Sequence, residues 1–301
     1  MLSESYRALY KMWKESNSKQ IYRSKGEELK ELILKNFRGV QTEPNEEHKK
    51  KYPIYKFTIE GCNCYKYVNK KADRVIIYIH GGGFFADLSE TYWDYISEIF
   101  EQTNSEIYMP QYPVTPEHNC EPTYKMLLTL YKQILKTTLP NQIVIMGDSA
   151  GGGISLSFAM LLRDKKLPQP KEIIMISPCL KLAAVTEDER AMAEELDEKD
   201  PIISYPCMES VRKMWGGKRK KKDYIVNPFY GEVCGLPRLT LFTGTWDVLY
   251  LFNREFYERV KSEGIPLDFY VREKMIHAYI IFPVPESEPD RKRIIHIINR
   301  K

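Results

Sequence analysis

The chain has 301 residues, with 45 basic against 41 acidic side chains and a formal net charge of +4. That near-balance gives no general drive toward nucleic acid, and 43% hydrophobic with 29% charged residues excludes a disordered chain. No apolar run reaches the ~18 residues of a membrane-crossing helix, and charges interrupt the apolar stretches of the opening Met1-Leu2-Ser3-Glu4-Ser5-Tyr6-Arg7, so neither a span nor a secretory leader is expected. From the start, Tyr6, Leu9, Tyr10 and Trp13 fall at helical spacing, and Leu29, Leu32, Ile33 and Phe37 do so again. Residues 1–40 therefore read as two amphipathic helices. Gly39 and Pro44 break the pattern, and Glu46–Lys51 reads as a solvated, charged linker. Short strands are expected at 54–59 and 62–68, then strand and helix alternate. Strands fall at Arg74–His80, Glu106–Gln111, Ile143–Met146, Ile173–Ile176, Leu239–Phe242 and Leu267–Val271. Helices fall at 92–103, 122–137, 150–164, 250–263 and 289–299. Such alternation predicts an α/β fold, a parallel sheet with helices on both faces.

The stretch 180–227 interrupts this order. It opens acidic, with eight Asp and Glu between Glu187 and Asp200, and ends on Lys218-Arg219-Lys220-Lys221-Lys222. A basic run of this length reads as a solvated loop in a mobile lid. The six cysteines are scattered, and Cys62-Asn63-Cys64 would place two thiols on one face of a strand. Without a leader, such thiols suggest a reducing, cytoplasmic setting rather than a disulfide framework or a metal site.

Gly147-Asp148-Ser149-Ala150-Gly151 matches G-x-S-x-G. About 0.1 such matches arise by chance in this length, so the context matters more than the string. A buried strand feeds it and a helix leaves it, the setting that exposes a serine Oγ on a tight turn. A phosphate-binding turn would carry G-x-G-x-x-G or G-K-[ST], and neither is present. His80-Gly81-Gly82-Gly83-Phe84 closes an earlier strand, and its backbone N–H groups could stabilise a tetrahedral oxyanion. Both glycine turns point to the C-terminal edge of the sheet, where parallel sheets hold ligands.

The serine needs a base. His48 lies in the charged stretch, His80 and His118 precede Ser149, and His296 sits between isoleucines as a packed residue. His277 alone follows a late strand. With the order Ser, acid, His, the acid lies between 149 and 277, and only Asp247 follows a buried strand end. Ser149, Asp247 and His277 therefore read as nucleophile, orienting acid and base.

His80–Gly83, Tyr112–His118, Gly147–Gly152, Gly235-Leu236-Pro237 and Met275-Ile276-His277 occur in the order, and with the residues, of the hormone-sensitive-lipase-like family of α/β-hydrolase carboxylesterases, which the chain from about residue 50 onward resembles. The resemblance implies an eight-stranded, mostly parallel sheet. It also implies a helical cap made of residues 1–45 and the 180–227 insertion, on a catalytic domain of 46–301. Gly81, Gly82 and Ala150 would supply the oxyanion hole. A second Asp that the family often carries four residues after its acid is Leu251 here. The expected activity is hydrolysis of small or medium acyl esters through an acyl-enzyme, with a small-molecule ester as partner and no metal or cofactor. An amidase or peptidase on the same three residues, and a non-catalytic small-ligand receptor, stay open. The apolar stripe Tyr6-Leu9-Tyr10-Trp13 is expected to pack on the sheet domain and to roof the acyl pocket.

Overall fold

The computed structural model describes residues 2–16, 18–40 and 42–300, so Met1, Asn17, Gln41 and Lys301 lie outside the described residues. The chain opens with α1 (Glu4–Glu15), α2 (Ser18–Arg23), α3 (Gly26–Phe37) and α4 (Glu46–Lys51). Next come β1 (Ile54–Ile59), β2 (Cys62–Tyr67), β3 (Arg74–Ile79), α5 (Glu90–Gln102), β4 (Ser105–Pro110) and α6 (Cys120–Ile134). Then follow β5 (Ile143–Asp148), α7 (Ser149–Asp164), β6 (Glu172–Ile176), α8 (Glu187–Lys199) and α9 (Met208–Gly216). The last elements are β7 (Arg238–Gly244), α10 (Tyr250–Ser262), β8 (Leu267–Arg272) and α11 (Glu288–Asn299).

The strands form one eight-stranded sheet in the order β1-β2-β4-β3-β5-β6-β7-β8. β1 and β2 are antiparallel to their neighbours, and the pairs from β4 to β8 are parallel. Successive residues of β5 enter opposite layers. Ile143 and Ile145 join a core with α3, α6, α7 and α10, while Val144 and Met146 join a core with α1, α5 and α11. A strand covered on both faces needs an unbroken apolar run, which is why Ile143-Val144-Ile145-Met146 does not alternate.

Three sequence expectations change. The described residues of 1–40 hold three helices rather than two. The first ends at Ser16, whose N–H bonds back to Met12 and whose Oγ bonds to the Trp13 carbonyl at 2.8 Å, and Gly26 starts α3 at φ +56°. Glu46–Lys51 is a helix rather than a linker. Asn45 accepts the His48 N–H at 2.9 Å, and Glu46 and Glu47 stand in the first turn with lysines in the last, which suits the helix dipole. His296 is exposed rather than packed, because the apolar face of α11 is formed by Ile294, Ile297 and Ile298.

The 180–227 stretch holds two helices, α8 and α9. Thr186 and Glu189 cap α8 reciprocally, which draws its acidic run into a helix. In the basic run, Arg219 pairs with Glu121 and with Asp223, each at 2.8 Å. Helices α1 to α3 meet this stretch directly. The Tyr10 hydroxyl donates to the Lys199 carbonyl at 3.1 Å, and Cys207 N–H donates to the Tyr22 carbonyl at 3.0 Å. No helix of the described residues is long and apolar enough to cross a membrane.

Candidate active site

Ser149 sits where β5 turns into α7, with φ +49°. A left-handed conformation is costly for a residue with a Cβ, and here the surroundings impose it. Its carbonyl accepts the Cys179 N–H at 2.8 Å, and a Cβ on Gly151 would strike the Ile79 carbonyl oxygen. The turn therefore needs glycine next to β3 and holds the serine at the first turn of a long helix. The side chain is nearly buried, at 8% exposure.

His277 lies on the loop after β8, and Asp247 on the loop after β7. His277 Nδ1 and Asp247 Oδ1 are 3.0 Å apart, at 4% and 0% exposure. Asp247 Oδ1 also accepts the Leu249 N–H at 2.8 Å, while Oδ2 is buried without a hydrogen-bond partner among the described residues. Burial works against a charged imidazole, but the Asp247 charge and hydrogen bond outweigh it. With weaker help from Asp200 and Asp148, they hold the ring above its ordinary value. The loop is fixed from two sides. The Tyr6 hydroxyl donates to the Lys274 carbonyl at 2.6 Å and accepts the Ile276 N–H at 3.1 Å. Ser177 Oγ accepts the Ala278 N–H at 3.0 Å.

The resemblance implies that Gly81 and Gly82 belong to an oxyanion hole, and the structure treats them differently. Gly81 N–H donates to Asp148 Oδ1 at 2.9 Å, so it is already engaged. The same carboxylate accepts the hydroxyls of Tyr78 at 2.8 Å and Tyr92 at 3.1 Å. Its burial raises the Asp148 pKa, against the Tyr78 hydrogen bond. A buried carboxylate needs such donors, which is the physical reason Gly81 N–H turns inward. Asp148 is thus a brace for the glycine loop. Gly82 N–H and Gly83 N–H make no hydrogen bond among the described residues, and Ala150 N–H belongs to the unsatisfied first turn of α7. Gly82 has φ +100°, and a Cβ there would sit 2.8 Å from the Ala86 carbonyl oxygen. His80 stacks on Tyr112, with ring centroids 4.3 Å apart, and burial lowers its pKa.

Two cavities meet at Ser149. One holds His277, Gly82, Tyr92, Trp13, Ile281 and Phe282. The other is narrow and apolar, walled by Tyr22, Phe84, Phe85, Leu182, Met208 and Val211, with space for about two water-sized groups. Ser149 and His277 share the first cavity without a mutual hydrogen bond, a looseness common in active sites without substrate. Trp13 lies on the His277 side, so the α1 stripe does not roof the narrow cavity. Tyr22 of α2 and Met208 and Val211 of α9 do.

Sequence reasoning missed Asp200. Its oxygen lies within 4.8 Å of ligand atoms of Asp247 and His277, and all three residues are buried. That grouping could hold a metal by proximity, but His277 Nδ1 and Asp247 Oδ1 already face each other as an acid–imidazole pair. In the sequence Asp200 is one of eight nearby acids. What sets it apart is its place at the end of that run, before Pro201-Ile202-Ile203.

Residues 76–281 match the profile of a family described as alpha/beta hydrolase fold. An esterase of Acinetobacter venetianus is 24% identical over 66% of this chain and 65% of its own length. A triacylglycerol lipase of Mycobacterium tuberculosis is 24% identical over 68% of this chain and 42% of its own. The chain thus spans just under two thirds of the first relative and less than half of the second. Among solved structures, an esterase described as of the bacterial hormone-sensitive lipase family superposes with a TM-score of 0.81. It is 21% identical, with 99% of this chain and 98% of that one covered, and shares the fold.

Proposed function

We propose that this chain, which belongs to the α/β-hydrolase fold family, is a serine carboxylic-ester hydrolase in which Ser149, His277 and Asp247 form the catalytic triad. The observation that carries the reading is the buried Asp247–His277 pair, 3.0 Å apart, opening on the same cavity as a serine in the left-handed conformation. Ser149 Oγ attacks the acyl carbon while His277 takes its proton. Asp247 fixes the tautomer that leaves Nε2 free and stabilises the imidazolium that forms. The developing oxyanion is held by the N–H groups of Gly82 and Ala150, with Gly83 in the part first assigned to Gly81. His277 then returns the proton to the leaving alcohol, and water attacks the acyl-enzyme with His277 as base.

This proton path orients the substrate. The leaving alcohol must lie beside His277, in the cavity lined by Trp13, Ile281 and Phe282. The acyl chain then enters the narrow cavity toward Met208 and Val211. Its small capacity favours short chains, about two to four carbons. The names of the relatives, esterase and triacylglycerol lipase, support ester chemistry.

The test is turnover of p-nitrophenyl butyrate beside matched anilides. Ester hydrolysis should be lost to near background in Ser149→Ala and His277→Ala, and should fall on the order of 10⁴-fold in Asp247→Asn. Preferential anilide cleavage would move the reading to an amidase. Full ester activity in a pure Ser149→Ala preparation would remove the triad.

A further inference from the structure

One buried acid beside the triad has no part in that mechanism. Asp200 follows α8 and is fully buried. Its Oδ1 accepts the N–H groups of Ile202 at 2.9 Å and Ile203 at 3.4 Å. Its Oδ2 accepts the N–H of Val248, the residue after Asp247, at 3.0 Å. One oxygen of Asp200, one of Asp247 and a ring nitrogen of His277 lie within 4.8 Å of one another. Asp247 Oδ2 is buried and has no hydrogen-bond partner among the described residues.

Two carboxylates this close and this dry cannot both ionise at little cost. The groups facing Asp200 are Asp247 and His277 from the loops after β7 and β8, Tyr6 and Tyr10 of α1, and Lys19 and Tyr22 of α2. Lys19 is the one fixed cation among them. Its Nζ is engaged by the carbonyls of Asp197 and Asp200 and, at 3.5 Å, by the Asp197 carboxylate. No hydrogen bond joins it to the Asp200 carboxyl among the described residues. A proton is what remains to relieve the pair.

We propose that Asp200 is a positioning residue for the triad: carried protonated by the 180–227 stretch, it donates to Asp247 Oδ2 and leaves Oδ1 to face the imidazole. The proposal rests on the triad reading above. Burial first, and the Asp247 charge second, push the Asp200 pKa up to about 7, so the proton is held up to about neutral pH and is lost above it. The charge that Asp200 carries once it loses this proton acts on His277, raising the ring's pKa behind the larger effect of Asp247. The acid arrives from the stretch that also carries Met208 and Val211. Orientation of the catalytic acid is therefore tied to the seating of the wall of the narrow cavity.

The test compares Asp200→Ala with Asp200→Asn in the full chain, reading kcat, KM, Tm and the downfield proton resonance of His277 Nδ1–H from pH 5.5 to 9. Alanine strands Asp247 Oδ2, and kcat should fall about tenfold while KM holds. Asparagine keeps a neutral donor and should recover most of that loss. It also removes the charge that Asp200 gains at higher pH, so the acid limb of kcat/KM should move down by about half a pH unit, a threefold gain on that limb. Equal losses of kcat and Tm in both variants, with the limb unmoved, would overturn the proposal and leave Asp200 a loop support. If the wild-type chain turns over no ester, the function reading fails by itself. The resonance still decides Asp200, because a ring titration identical in wild type and Asp200→Asn overturns its role.

Discussion

Met208→Ala tests how the narrow cavity sets chain length. Met208 is 4% exposed, opens α9 and lines the cavity at Ser149. Alanine removes three side-chain heavy atoms, room for up to about three methylenes at ~0.8 kcal/mol each. The ceiling is about 2.4 kcal/mol, roughly 60-fold in kcat/KM, and one accommodated methylene gives about fourfold. The new space is partly continuous with an existing cavity, so the stability cost should fall near the low end of the 2–5 kcal/mol range for such truncations, about 2 kcal/mol. The assay is kcat/KM for p-nitrophenyl acetate, butyrate, hexanoate and octanoate on both proteins, below their micelle-forming concentrations. Wild type should fall off beyond butyrate, and the variant should raise the hexanoate-to-acetate ratio between fourfold and 60-fold by the same arithmetic. A uniform change across all four esters in a folded variant would refute the assignment of this cavity to the acyl chain.

Tyr6→Phe deletes both hydrogen bonds to the His277 loop, worth about 1–3 kcal/mol together. It should lower Tm and cut kcat more than it raises KM, as thermal melts and steady-state kinetics would show. Gly82→Val places a side chain on a φ of +100° and against the Ala86 carbonyl. It should lose roughly 10²-fold in kcat, the scale of one oxyanion donor, and normal turnover in a folded variant would remove this glycine from the mechanism. In the proposed mechanism His277 works as the neutral ring, and Asp247 raises its pKa. Activity should therefore fade as pH drops through a midpoint above the ~6.5 of an unperturbed histidine, and a limb centred below that would contradict the pairing.

The central strands and their loops were legible because their signals are local. Ile143–Met146 is a continuous apolar run ahead of a small-residue turn, and His277 was the one histidine in a suitable loop. Helix ends fell within a few residues of expectation for the same reason. What escaped depends on tertiary partners. The charged Glu46–Lys51 reads as solvated in composition, and only its Asn45 cap and the order of its charges make it a helix. Gly81 and Gly82 are alike as letters, and they part company because a buried carboxylate claims one N–H. Asp200 differs from the acids of α8 in sequence only by its place before Pro201, and its role shows once the fold turns it inward. The α1 stripe was readable as apolar, but the choice of cavity it faces is set by where Phe282 and the β8 loop end.

The Tyr6 hydrogen bonds join residues 268 and 270 positions apart, and Ser3 reaches Glu286 across 283. A ribosome delivers α1 long before the loop it will hold. Through most of synthesis the helix therefore has nothing to dock on, and its aromatic side stays in solvent. The sheet can collapse around β3, β5 and β6 meanwhile, since those strands pair with one another and pack on α7, with β4 and β7 on either side. Contacts of such separation close late and slowly. The His277 loop is fixed by α1 only once residue 6 has met residues 274 and 276, so the geometry proposed for Ser149, His277 and Asp247 depends on a contact that local folding cannot supply.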